Sequence, residues 1–144
     1  MFKTDITYTN FLGTEITETL RFNLTETELL DLIKEDPKFD AGFLAYASQE
    51  QDYVKMMDVI RKLIVVSYGE VSEDGKYFRK SDERAIDFLQ SAAYEAFKDK
   101  LLASEDGHEF IDFLLGIFPA KFSKVLKDRI AQGDKNVPAL SVVN

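Results

Sequence analysis

The period of the hydrophobic pattern changes once along this chain, near residue 25, and that change limits the fold more than any single motif does. Over residues 2–9, Phe2, Thr4, Ile6 and Tyr8 fall on one face and Lys3, Asp5, Thr7 and Thr9 on the other. Residues 15–24 repeat the alternation: Ile16, Leu20, Phe22 and Leu24 stand opposite Glu15, Thr17, Thr19, Arg21 and Asn23, and Glu18 breaks the apolar row. A period of two in β-branched and aromatic residues marks half-buried strands. The short Asn10–Thr14 link, with its glycine, joins them as a hairpin. A lone hairpin is marginal in water, so its apolar face must pack on helices or on another chain. The pattern predicts an α+β fold: an N-terminal β-hairpin followed by a mostly α-helical bundle, one domain over 1–132 with a flexible C-terminal tail over 133–144.

Helical signals begin at Thr25-Glu26-Thr27-Glu28, a capping box in which a threonine cap and a glutamate three residues on satisfy each other's backbone N–H groups. The helix runs through Leu29, Leu30, Leu32 and Ile33 and ends before Pro37, which disfavours helix at Asp36. Residues 36–47 hold Phe39, Phe43, Leu44 and Tyr46 but are interrupted by Pro37 and Gly42, so they read as a loop with one helical turn. Ser48 and Gln51 form a second capping pair, opening a helix to about Tyr68 with Tyr53, Met56, Met57, Ile60, Leu63 and Ile64 on its apolar face. Ser81 caps the next, which carries Ile86, Leu89, Ala93, Ala96, Phe97 and Leu101 on one face and breaks near Ser91. After a turn at Ser104–Gly107, a helix spans about 107–117, Pro119 interrupts it, and a last helix covers about 120–131 until Gly133.

The Ser67–Ser81 stretch is the densest turn-forming segment. Gly69 is expected to close the preceding helix in the left-handed conformation. Asp74-Gly75 is a turn dipeptide, which predicts a positive φ at Gly75 and a buried Phe78 behind it. Treated as a calcium loop with Gly75 at position six, the segment has Glu70 where aspartate is needed and Ser81 where a bidentate glutamate is needed, so an EF-hand is excluded.

Composition narrows the function classes. The 144 residues suit one domain, and twelve Phe and six Tyr without Trp give a Phe-heavy core. A net charge of −8 argues against nucleic-acid binding, which needs a positive face. The charge is uneven: residues 121–144 carry +3 and the rest −11. Without cysteine there is no disulfide framework and no thiol chemistry. No apolar run approaches the ~20 residues needed to span a bilayer, and the N-terminus lacks a signal-peptide core. The chain reads as soluble and intracellular.

Catalytic candidates are few. The single histidine, His108, stands with Glu109 and Asp112 in a His-Glu-x-x-Asp arrangement, which on a helix puts His108 and Asp112 on one face as metal ligands with Glu109 as base. This is the basis for a small metal-dependent hydrolase, but the second histidine of such sites is missing and no third ligand is evident. No phosphate loop and no nucleophile elbow occur. The chain reads as a non-enzyme, without cofactor or metal, and with a binding or assembly role. The 107–117 helix is apolar almost all round, which places it either at the centre of the bundle or against a partner. Phe110, Phe113, Leu114, Leu115, Ile117 and Phe118 are the candidate partner-binding residues, with the open edge of the hairpin as a second candidate.

The order and spacing of the hairpin ITYTNFLGTEITETLRFNLTETEL, the segment LIVVSYGEVSEDGKYFRKSDE, the helix QSAAYEAF and the run EFIDFLLGIFP resemble the tail assembly chaperones of long-tailed phages and prophages, chiefly of Gram-positive hosts. The likeness covers about residues 5–119 and is most specific at Tyr68, Gly69, Ser72, Asp74, Gly75, Phe78, Lys80 and Ser81. The longer, Phe-rich end DFLLGIFP and the basic segment after Pro119 depart from the pattern. The resemblance implies a non-enzymatic protein that coats the tape measure protein, helps tail tube subunits polymerise around it in the host cytoplasm, and is absent from the mature virion. It leaves self-association open. A generic phage adaptor is the remaining alternative to the hydrolase.

Overall fold

Strand β1 (Phe2–Thr9) and strand β2 (Glu15–Phe22) pair antiparallel along their whole length, with Phe2 opposite Phe22 and Thr9 opposite Glu15. The computed structural model describes residues 1–49 and 52–132. As the alternation predicts, Thr4, Ile6, Leu20, Phe22 and Leu24 are buried. The 10–14 link is held by Asn10, whose Oδ1 accepts from Leu12 N and Thr14 N at 3.0 and 2.9 Å.

The helices follow in order: α1 (Glu26–Glu35), a 3-10 turn (Pro37–Phe39), α2 (Ala41–Ala47), α3 (Tyr53–Ser67), then α4 (Asp82–Leu89), α5 (Ala92–Leu102), α6 (His108–Ile117) and α7 (Ala120–Ala131). Both halves of the predicted capping box of α1 form. The segment read as a loop is instead the 3-10 turn and α2, with Phe39, Leu44 and Ala45 buried. Pro37 sits where the turn begins and its missing N–H costs nothing, while Asp40 caps α2 by accepting from Phe43 N at 2.8 Å. Ser48 does not open α3. It ends α2, with its hydroxyl donating to Ala45 O at 2.7 Å. Gln51 lies outside the described residues, and Asp52 caps α3 by accepting from Val54 N and Lys55 N. The break near Ser91 divides α4 from α5, and that break shifts the buried face of α4: Ala85 and Phe88 are buried while Ile86 is 51% exposed. The tail over 133–144 also lies outside the described residues.

Two further short strands, β3 (Tyr68–Val71) and β4 (Phe78–Arg79), extend the sheet in the order β1-β2-β3-β4. The turn-forming stretch over 67–81 is thus a second hairpin. Its junction with β2 is short, Arg21 opposite Gly69 and Phe22 opposite Tyr68. The core lies between the sheet and the helices, and side chains from α1 to α7 all enter it. Phe22 is its hub: stacked on Phe97 at 4.8 Å between centroids, edge-on to Phe113 at 5.3 Å, and near Phe88 and Tyr68. Backbone bonds from Asn23 N to Ser67 O and from Leu24 N to Ile117 O, both 2.8 Å, tie the end of β2 to the ends of α3 and α6.

Candidate functional site

The eight loop residues that carry the resemblance are each engaged within the chain. Tyr68 stacks on Phe88, 4.4 Å between centroids. Ser72 accepts from Tyr77 N at 2.9 Å and donates to Asp74 Oδ1 at 2.7 Å, and Asp74 accepts in turn from Lys76 N. The Ser72 hydroxyl, then the Lys76 N–H, hold the Asp74 carboxyl below its ordinary range. Gly75 has the predicted positive φ, 74°, and donates to Ser72 O. Ser81 caps α4 by accepting from Arg84 N. Gly69 departs from its expected role, because it lies in β3 without positive φ. A side chain there would put its Cβ 2.7 Å from the Phe78 ring and 2.8 Å from Lys80 Cγ. Phe78 lies across this gap and is half-buried rather than buried, since β4 stands at the margin of the sheet.

Lys80 crosses the junction of four segments. Its ammonium donates to Asn23 O at 2.9 Å and Val66 O at 3.2 Å and pairs with Glu28 at 2.7 Å. Burial pushes the Glu28 carboxyl up, but the Lys80 ammonium and the Thr25 N–H outweigh it and hold the carboxyl below its ordinary value. Tyr77 of this loop is held out to solvent, 50% exposed with Lys76 and Arg79 beside its ring, and Val71 is 41% exposed. The hydrogen bonds of Ser72 and Lys80 tie the loop to itself, to α1 and to the end of α3.

Of the six candidate partner-binding residues in α6 and at its C-cap, the structure puts Phe110, Phe113, Leu114, Ile117 and Phe118 in the core, at 5% exposure or less, with Leu115 half-buried against it. β1, α5 and α7 surround the helix. Its C-terminal carbonyls are met by Ser123, whose hydroxyl donates to Leu115 O and Phe118 O. A partner reaching the five buried side chains would have to displace core packing.

Apolar surface is exposed elsewhere. Phe11 and Leu12, at the tip of the β1–β2 hairpin, are 83% and 90% exposed. A larger feature runs along α3. A cavity of about 630 Å³ lies between α3 and the segment that carries the 3-10 turn and α2, lined by Phe39, Phe43, Tyr46, Val54, Met56 and Val59. A second, of about 590 Å³, continues it toward Leu32, Val65 and Leu89. The two share Asp36, Phe39, Asp58 and Lys62, so they form one groove. Sequence reasoning missed it because one wall is the segment read as a loop. The available signal was four large apolar residues within 39–46.

His108 is on the surface, its Nδ1 2.7 Å from Asp106 and its Nε2 3.7 Å from Glu109. The hydrogen bond to Asp106 raises its pKa. Among the described residues no three His, Asp or Glu side chains converge as a metal site would require. No helix among them is long and apolar enough to cross a membrane.

Comparison with curated proteins and with solved structures gives no match. Among protein-family models, one described as phage tail assembly chaperone matches residues 1–142. That family is non-enzymatic, which removes the hydrolase reading at His108, Glu109 and Asp112. With all but the last two residues of the chain matched, the protein belongs to the phage tail assembly chaperone family.

Proposed function

We propose that this chaperone binds the tape measure protein of a long-tailed phage or prophage of a Gram-positive host. It keeps that long helical protein from aggregating in the host cytoplasm, promotes polymerisation of tail tube subunits around it, and is released before the virion is complete. The family match over residues 1–142 carries the reading. The surface is compatible with it: an acidic chain of net charge −8 resists its own aggregation, and an apolar groove remains open on one side.

The test is co-expression with the tape measure protein of the same genome. The expected result is that the tape measure protein becomes soluble and co-elutes with the chaperone on size exclusion. A tape measure protein that stays insoluble, or elutes alone, would remove this reading in favour of a generic adaptor.

A further inference from the structure

We infer that the chain self-associates by inserting the tip of its β1–β2 hairpin, Phe11 and Leu12, into the groove along α3 of a second copy. The inference goes beyond the tape-measure reading and stands without it.

The hairpin is longer than the core requires. Its buried strand residues, Thr4, Ile6, Leu20 and Phe22, all lie toward its base. Beyond Ile6 the ladder continues through Thr7, Tyr8 and Thr9, which ends opposite Glu15, a further ~10 Å at about 3.3 Å per residue. This arm is firmly built. The Thr7 and Thr17 hydroxyls meet across it at 2.9 Å, and the Tyr8 hydroxyl donates to Glu18 at 2.9 Å. At its end Gly13 N donates to Asn10 O and Asn10 N donates to Thr14 O, so Phe11 and Leu12 are the central pair of a hydrogen-bonded turn. Polar residues and glycine ordinarily fill such positions. Single exposed apolar residues need no explanation, but two large ones, adjacent and fixed in water at the end of an ordered arm, do.

The groove is the complement of this tip in size and in charge. Phe39 and Val59 are buried at its base, Phe43 and Met56 are half-buried, and Tyr46 and Val54 are exposed at its rim. The section they line, about 630 Å³, is as large as sites that enclose a small organic molecule, so it has room for a benzyl and an isobutyl group together. Its rim is close to charge-neutral: Asp58 pairs with Lys62 at 3.2 Å, Asp36 accepts from Lys38 N, and Lys55 is also engaged. The tip from Asn10 to Thr14 carries no charge either. The exposed lysines of α7, Lys121, Lys124 and Lys127, would suit an acidic segment instead. The ladder fixes the tip in its own chain while the groove of that chain stays open, so the two surfaces meet only between copies. Each copy offers one tip and one groove, and the contact therefore repeats head to tail. A tip covers less than the ~800 Å² per partner of a standard interface, which makes the association weak and reversible.

The experiment is sedimentation velocity on the full chain from roughly 10 µM to 1 mM, the range suited to so small a contact. The average mass of the unaltered chain is expected to rise with concentration. Two variants separate the surfaces: Phe11→Ser/Leu12→Ser removes the tip, and Val54→Asp charges the rim of the groove. All three residues are at least 75% exposed, so circular dichroism should show an unchanged fold. Each variant alone should associate at least tenfold more weakly. Mixed together they should form a dimer that grows no further, because the first keeps its groove and the second keeps its tip. An unaltered chain that stays monomeric across the range would overturn the inference. So would folded variants that associate like the unaltered chain, or a mixture that stays monomeric, which would mean that each surface meets its own kind. Tape measure peptides that bind a monomeric unaltered chain and are lost in Val54→Asp would overturn it too, and give the groove to that partner.

Discussion

Gly69 shows how a single residue can be required for a reason other than the one its sequence context suggests. A glycine after a long helix most often supplies a left-handed C-terminal conformation, whereas here it removes a side chain so that Phe78 and Lys80 can cross β3 at close range. A methyl group cannot be added without moving a ring and an anchored lysine stem. Gly69→Ala is therefore expected to destabilise the protein by roughly 1–3 kcal/mol, the usual range for overpacking. Phe78→Ala should cost about 2 kcal/mol, below the ~3–5 kcal/mol of a fully buried phenylalanine, because the ring keeps one side in solvent. Urea denaturation of both variants checks these values. A neutral Gly69→Ala would show that the ring moves aside freely.

At the scale of the element, α6 poses the sharpest contrast. Its residues are apolar in nearly every direction, and the structure buries five of the six singled out while leaving Leu115 at the edge. Charging each kind of position separates interior from margin. Phe113→Glu puts an unpaired carboxylate against Phe2, Phe22 and Phe97 and should cost more than ~4 kcal/mol, enough to unfold the chain. Leu115→Glu should leave the far-ultraviolet spectrum intact and lower the melting temperature by a few degrees, for a loss of about 1–2 kcal/mol. A folded Phe113→Glu would mean that the helix is not the interior element described, and would return it to candidacy as a partner surface.

At the scale of the whole molecule, Lys80 holds together parts of the chain 14 and 57 residues apart. Lys80→Met keeps most of the stem packing and removes the charge, leaving two carbonyls without the ammonium and the Glu28 carboxylate with Thr25 alone. The expected loss is roughly 1–3 kcal/mol. The pair also sets a pH dependence. The Glu28 carboxyl is held below its unfolded value near 4.5, so the folded state favours its ionised form. That contribution is present above the unfolded value and is lost as pH falls through the lower folded one. Acid unfolding should thus include a Glu28 component that disappears in Glu28→Gln and shrinks in Lys80→Met, where the Thr25 N–H remains. An acid limb unchanged in both would show that the pair contributes nothing to folding. Because Glu28 is 40% exposed, salt should weaken the effect.

What the sequence determined alone was whatever depends on near neighbours along the chain. Strand alternation and helix periodicity are local steric facts, so β1, β2 and six of the seven helices among the described residues are legible in it, as are the α1 capping box, the Asp74-Gly75 turn and the break at Ser91. The spacing of the Tyr68–Ser81 residues also pointed to the family. Tertiary structure decided what depends on residues far apart in the chain. Pro37 and Gly42 argue locally against helix, yet burying Phe39, Leu44 and Ala45 against the rest of the chain repays the cost and makes α2. The 67–81 segment becomes a β-hairpin because β2 offers it an unpaired edge at Arg21 and Phe22. Whether an all-apolar α6 is core or surface depended on what packs around it, and the groove along α3 exists only where two segments fail to close. Local pattern says which side chains avoid water; only the packed chain says which of them are left without cover.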